Sequence, residues 1–125
     1  MISELANSAI GFITDLIDAN DTKEKWVKQT RENIHREYPS LNVVIYKDEA
    51  REYDFGGDDH VREFSYDLEI AAPFVEERFY ILVSDNAGWF RRAGDAGWIN
   101  WAFAAGEAFV WQREVDSPLV KFVKK

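Results

Sequence analysis

The apolar residues at the start of the chain recur in steps of three and four. Over residues 2–17 this spacing places them on one face of a helix. A polar run then interrupts the pattern, and Asp21 followed by Glu24 has the spacing of a helix N-cap and its box partner. A second helix is therefore predicted over about 22–37, and Pro39 ends it by disfavouring helical geometry in the preceding residue. A single helix that continues through the polar run is the alternative.

Beyond residue 40 the repeat shortens to two, the period of β-strands. Residues 61–70 alternate most cleanly, with Phe64 and Tyr66 on one face and Glu63 and Asp67 on the other, which is typical of a strand with one hydrated face. Gly, Asp and Asn cluster between the alternating segments, as expected of turns. The other predicted strands cover residues 41–46, 77–83, 89–92, 98–103 and 108–114, and shorter extended pieces are predicted at 51–55 and 119–123.

These elements predict a single α+β domain over residues 1–125. One or two N-terminal helices pack on a curved antiparallel β-meander of about five or six strands. The cystatin-like and nuclear-transport-factor-like architectures also place their helices before the β-meander in the chain. The likeness is an analogy of layout, since the chain carries no signature of either family, and layout does not fix function.

Charge narrows the class of partner. The net charge is -8 and the isoelectric point about 4.7, so the chain repels phosphate backbones and anionic lipid and attracts cationic surfaces. We therefore expect neither nucleic acid nor a membrane as a partner. The sequence contains no cysteine, which excludes disulfides and thiolate metal sites. The acidic N-terminal residues do not resemble a secretory signal, and the prediction is a cytoplasmic protein.

The sequence predicts no catalytic residue, cofactor or metal. His60 follows Asp58 and Asp59, which would suit half of a metal site or an Asp-supported general base, but adjacent loop residues rarely point at one ion. A solvent-facing imidazole in an acidic turn is favoured. Paired carboxylates such as Glu63 and Asp67 are interpreted as the hydrated face of their strand, and no serine lies in a nucleophile elbow.

Aromatic density is the uncommon feature: Phe, Trp and Tyr make up 15% of the residues, and tryptophans concentrate in the last third. Alternation over 98–103 places Trp101 and Phe103 on one face and Trp98 and Asn100 on the other. If the first face fills the core, Trp98 and Asn100 lie on the opposite face. A hairpin through residues 93–97 would then set the segment containing Trp89 and Arg91 beside them.

Three interpretations of this aromatic face remain open. Trp and Arg are enriched where proteins bind proteins. Indole rings beside an amide also suit stacking against sugars. The third interpretation is that both faces of the sheet are buried, against the helices on one side and against a dimer mate or the C-terminal segment on the other.

The favoured function is that of a non-catalytic binding protein of the inhibitor or immunity type, which recognises a protein partner of basic charge. Its acidic interface candidates are Asp58, Asp59 and Glu63. The alternative is a lectin-like or small-ligand-binding protein whose site contains Trp89, Arg91, Trp98 and Asn100. A small enzyme with a pocket between helix and sheet is the third hypothesis, and an apolar outer sheet face would favour a homodimer in any of them.

Overall fold

A computed structural model describes residues 23–47, 51–70, 75–92, 101–115 and 117–125. The helix predicted over residues 2–17 lies outside this part of the chain. Whether the N-terminal region forms one helix or two therefore stays a prediction. The described elements are α1 (Lys23–Glu37), β1 (Asn42–Tyr46), β2 (Arg51–Asp54), β3 (Val61–Ile70), β4 (Val75–Ser84), β5 (Gly88–Arg92), β6 (Ala102–Ala104), β7 (Phe109–Gln112) and β8 (Leu119–Lys124).

Helix α1 forms as the spacing predicts. Val27, Thr30 and Ile34 are all buried, and their separations of three and four residues place them on one stripe of the helix. The last turn closes with the amide of Tyr38 donating to the carbonyl of Ile34, directly before Pro39. Within the described part of the chain, no helix has the length and apolar character needed to cross a membrane.

The strands form two four-stranded sheets. Sheet 1 has the order β3-β4-β1-β6, and sheet 2 has the order β2-β5-β8-β7. All of their pairings are antiparallel. The prediction of a single meander of about five or six strands is therefore wrong in strand number and in connectivity, because only β3–β4 and β7–β8 pair as chain neighbours. The likeness to cystatin-like and nuclear-transport-factor-like layouts does not extend beyond the α+β class.

The predicted hairpin between the segments 89–92 and 98–103 is also absent from the described strands. Strand β5 pairs with β2 and β8 in sheet 2, whereas β6 pairs with β1 in sheet 1. Residues 89–92 and 102–103 form strands as predicted, and residues 98–100 lie outside the described part of the chain. Period-two alternation, however, carries no information about which strand lies alongside. The two segments therefore lie in different sheets.

Helix and sheets stack in three layers. Helix α1 lies over β1 and β6, and a first core joins it to one face of sheet 1 through Val27, Ile34, Val43 and Ile45, among others. A second core fills the space between the sheets and includes Val44, Leu82, Phe55, Phe90 and Phe122. Sheet 1 is thus covered on both faces, and all five residues of β1 are buried. One covering layer contains the C-terminal strand β8, in agreement with the third interpretation of the aromatic face.

One buried amide contacts two of the connections between the sheets. The chain passes from sheet 1 to sheet 2 after β1, after β4 and after β6, and the amide of Asn42 bonds to the last two connections. Asn42, fully buried on β1, donates from Nδ2 to the carbonyl of Asn86 at 3.0 Å and accepts at Oδ1 from the amide of Gly106 at 2.8 Å. Asn86 in turn donates to the carbonyl of Phe55 at 3.1 Å. These bonds fix the end of the molecule at which the sheets are joined.

Candidate binding groove

Of the four residues predicted to form a ligand site, the structure describes two, Trp89 and Arg91. Trp89 and Arg91 lie on β5 on either side of Phe90, which is fully buried between the sheets, so both side chains point to the outer face of sheet 2. Arg91 Nη2 pairs with Glu52 Oε2 across the β2–β5 ladder at 2.9 Å. Trp98 and Asn100 lie outside the described residues.

The three acidic interface candidates occupy different environments. Asp58 and Asp59 are exposed in a single 3₁₀ turn between β2 and β3. Glu63 is half-buried and accepts a hydrogen bond from the hydroxyl of Tyr46. This burial raises the pKa of the Glu63 carboxyl above its ordinary value of 4.5. The interpretation of a hydrated strand face therefore holds for Ser65 and Asp67, which are exposed, and is wrong for Glu63.

Replacing Glu63 by glutamine is expected to change how stability depends on pH. The carboxyl has a raised pKa in the folded protein, so its contribution to stability is fully present below its unfolded pKa and is lost as the pH rises through the folded pKa. Glutamine stays neutral and still accepts from Tyr46. The stability of Glu63→Gln relative to wild type should therefore increase with pH from about 4.5 upward, as measured by urea unfolding across that range.

The exposed neighbour Ser65 supplies the control for this measurement. Ser65→Ala lies on the same strand, and the pH dependence of its stability should match that of wild type. A Glu63→Gln curve that runs parallel to wild type at every pH would contradict the assignment.

The imidazole of His60 is paired with a different aspartate from those that precede it. Its Nδ1 lies 2.9 Å from Oδ1 of Asp85, in the turn after β4, and both side chains are partly exposed. Among the described residues, no group of three or more His, Asp and Glu side chains is placed to hold a metal ion. The pair holds two loops together at the surface.

A groove of about 980 Å³ is bounded by α1, β6 and β7. Its helix wall consists of Lys28, Arg31, Glu32 and His35, its floor of residues 101–105, and its far side of residues 109–111 with Arg113 and Lys125. Strands β6 and β7 end their respective sheets, since among the described strands β6 pairs with β1 and β7 with β8. Two sheet edges therefore border one groove, which we call the edge groove.

Aromatic rings form the apolar part of the edge groove. Phe103 meets Trp111 edge-on, with ring centroids 5.0 Å apart, and lies 5.1 Å from the ring of Trp101. Trp111 is 50% exposed and its neighbour Val110 40%, whereas Trp101 is only 4% exposed. The groove thus presents a large exposed indole that is already fixed in place by a neighbouring ring.

Positive charge surrounds these rings. The guanidinium carbons of Arg92 and Arg113 lie 4.8 and 5.0 Å from the centroid of the Trp101 ring, within the range of cation–π contacts. The spacing of Lys28, Arg31 and His35 places all three on one face of α1. Four Lys and Arg side chains line the groove against one carboxylate, in a chain whose net charge is -8. The edge groove is therefore a local basic site on an acidic protein.

The groove has an apolar floor and a charged rim. Among the described residues that line it, none carries a hydroxyl or thiol nucleophile. Glu32, the one carboxylate side chain among those residues, is largely exposed and pairs with Arg31 at 3.3 Å. An apolar, aromatic centre with a charged rim is the arrangement found in protein interfaces.

Comparisons with protein-family models, with curated proteins and with solved structures found no match for this chain. The edge groove is therefore the feature from which a function is inferred.

Proposed function

We propose that the chain is a non-catalytic binding protein that recognises a protein partner through the edge groove. The observation that carries this proposal is the exposed indole of Trp111, held against Phe103 in a groove of about 980 Å³ between two sheet edges. Trp and Arg are enriched among the residues that contribute most to interface affinity. Trp in particular buries a large area with only two side-chain torsions to fix. Trp111 is already packed against Phe103 on one side, so binding a partner costs little side-chain conformational entropy at this residue.

An inhibitor or immunity-type role is consistent with the charge of the whole molecule. A net charge of -8 attracts a cationic enzyme over distances of about a Debye length, roughly 8–10 Å at physiological ionic strength. Asp58 and Asp59 are exposed and available for such an encounter. In this proposal the acidic surface speeds the approach, and the edge groove makes the short-range contacts. Association rates should therefore fall with added salt.

A selection from a displayed random peptide library on the full chain tests the proposal. We expect enriched peptides whose affinity falls about fivefold to thirtyfold in Trp111→Ala, since a half-exposed indole at the centre of an interface contributes roughly 1–2 kcal/mol. Isothermal titration calorimetry measures the loss. The matched control is Trp89→Ala, which removes the same side chain from the outer face of sheet 2 and should leave affinity unchanged. Equal losses in both variants, or no binder sensitive to Trp111, would refute a groove-based function.

Sugar binding on the outer face of sheet 2 is the second candidate, favoured by the outward placement of Trp89 and Arg91 on one strand. The same two variants distinguish it. A glycan-array hit that disappears in Trp89→Ala and persists in Trp111→Ala would support the sugar site. A blank array would remove it.

A further inference from the structure

We propose that the partner binds the edge groove as an extended strand that adds to the outer edge of β6, and that this strand alternates apolar and acidic residues. The proposal rests on the proposed function, because it names the chemistry of the segment that the same groove receives. Two features of the groove support it: β6 borders the groove with its edge, and one wall of the groove is aromatic whereas the other is basic.

The edge of β6, and not one of its faces, borders the groove. Successive side chains of a strand point to opposite faces of its sheet, so a groove on one face would be lined by every second residue. All five residues from 101 to 105 line this groove. The groove therefore runs along the strand, where backbone N–H and C=O groups point sideways.

This edge is open among the described strands. Residues 102–104 pair with Ile45, Val44 and Val43 of β1 on one side only. An edge strand with an unpaired side is a template for another chain, and extended peptides use such edges to gain main-chain hydrogen bonds. Because β6 has only three residues, those hydrogen bonds are few, and side-chain contacts must supply the remaining affinity.

The two faces of an added strand would meet different walls. On β6, Trp101 and Phe103 point towards sheet 2, and Ala102 points towards α1. A strand added at about 4.8 Å continues this alternation. Every second side chain would then face Phe103 and Trp111, and the others would face the helix wall that carries Lys28 and Arg31.

These walls specify the sequence of the segment. Side chains against Phe103 and Trp111 are apolar or aromatic, since the site offers ring faces and edges. Side chains towards α1 are acidic, because Lys28, Arg31 and His35 on the helix wall outnumber the carboxylate of Glu32, which pairs with Arg31 at 3.3 Å. The small side chains of Ala102 and Ala104 leave this wall accessible. The geometry points to a period-two motif of apolar and acidic residues over about four to six positions.

Peptides selected on the full wild-type chain test the motif directly. We expect enrichment of alternating apolar and Asp/Glu residues, and a loss of at least about tenfold in affinity for these peptides when Lys28→Glu and Arg31→Glu are combined. The matched control is Lys121→Glu, an exposed charge reversal on the outer face of sheet 2, which should change affinity less than about twofold. Circular dichroism shows whether each variant remains folded.

Backbone N-methylation of the best peptide tests the strand. Only every second residue of an added strand directs its amide to β6. Methylation of these amides should abolish binding, and methylation of the intervening amides should leave it intact. If both sets of methylated peptides bind equally well, as expected for a peptide held through side chains alone, strand addition is overturned. Trp111-dependent binders without acidic enrichment would overturn the motif while leaving the proposed function in place. A selection that yields no Trp111-dependent binder would overturn both.

Discussion

Asn42→Ala is expected to lower the free energy of unfolding by about 2 kcal/mol, because truncating this side chain leaves the buried amide of Gly106 without its acceptor at 2.8 Å. The hydrogen bond of 3.0 Å to the carbonyl of Asn86 is lost as well, although this carbonyl still accepts from the hydroxyl of Ser84 at 3.2 Å. Asn42 and Gly106 are buried, so the amide hydrogen bond cannot be replaced by bulk water without opening the structure. Urea unfolding followed by tryptophan fluorescence measures the change.

An exposed amide provides the control for Asn42→Ala. Gln112 lies on β7 and is exposed, so Gln112→Ala should change stability by no more than about 0.5 kcal/mol. If Asn42→Ala lowers the free energy of unfolding no more than Gln112→Ala does, the connections that follow β4 and β6 do not depend on the Asn42 side chain.

Gly88→Ala is expected to cost about 3 kcal/mol, at the upper end for inserting a methyl group into a packed site. A Cβ on Gly88 would lie 2.2 Å from the carbonyl oxygen of Asp54 and 2.7 Å from Cα of Phe55. Both atoms belong to backbone at the end of β2, which pairs with β5, so they move only if that pairing is disturbed. Thermal unfolding should show a lower melting temperature, and amide exchange should increase in β2.

Gly57→Ala separates crowding from backbone conformation. Gly57 has φ of +124°, and a Cβ added there would meet no atom within 4 Å, so an alanine at this position is strained without being crowded. We expect a cost of about 1–2 kcal/mol from conformation alone. If Gly57→Ala lowers the free energy of unfolding as much as Gly88→Ala does, the short contacts of an added Cβ with Asp54 and Phe55 are not the reason that position 88 requires glycine.

Local structure was largely predictable because its causes are local. The capping pattern of Asp21 and Glu24, together with Pro39, predicted a helix over about 22–37, and the observed α1 is Lys23–Glu37. The alternation over 61–70 predicted β3 with its observed bounds. In both elements the period of the apolar residues follows directly from the geometry of one helix or one strand.

Pairing was not predictable, because it depends on residues far apart in the sequence. The glycine-rich segment 93–97 resembles a hairpin turn, yet the strands on either side of it belong to different sheets. Glu63 shows the same difficulty at the level of one residue. Alternation marked it as solvent-facing, but the second sheet, assembled partly from strands that follow it by many residues, lies against that face.

The edge groove was predictable in its parts but not as a site. The aromatic character of Trp101, Phe103 and Trp111 is evident in the sequence, and Lys28 and Arg31 share a helix face by spacing alone. Their assembly requires β6 and β7 to end two different sheets side by side beside α1. That arrangement follows from strand order, which the apolar pattern does not encode.

The position of β1 also has a kinetic consequence. This strand, with four apolar residues in five, pairs with β4 on one side and β6 on the other, so that Asn42 meets Ser84 and Val44 meets Phe103. Such long loop closures raise the contact order, and domains dominated by them fold in milliseconds to seconds. During synthesis, β1 emerges before either neighbour exists: it lacks β4 until residue 84, and β6 until residue 104, has left the ribosome. In this interval the nascent chain exposes an apolar strand with at least one unpaired edge, and we expect chaperone binding to be strongest then.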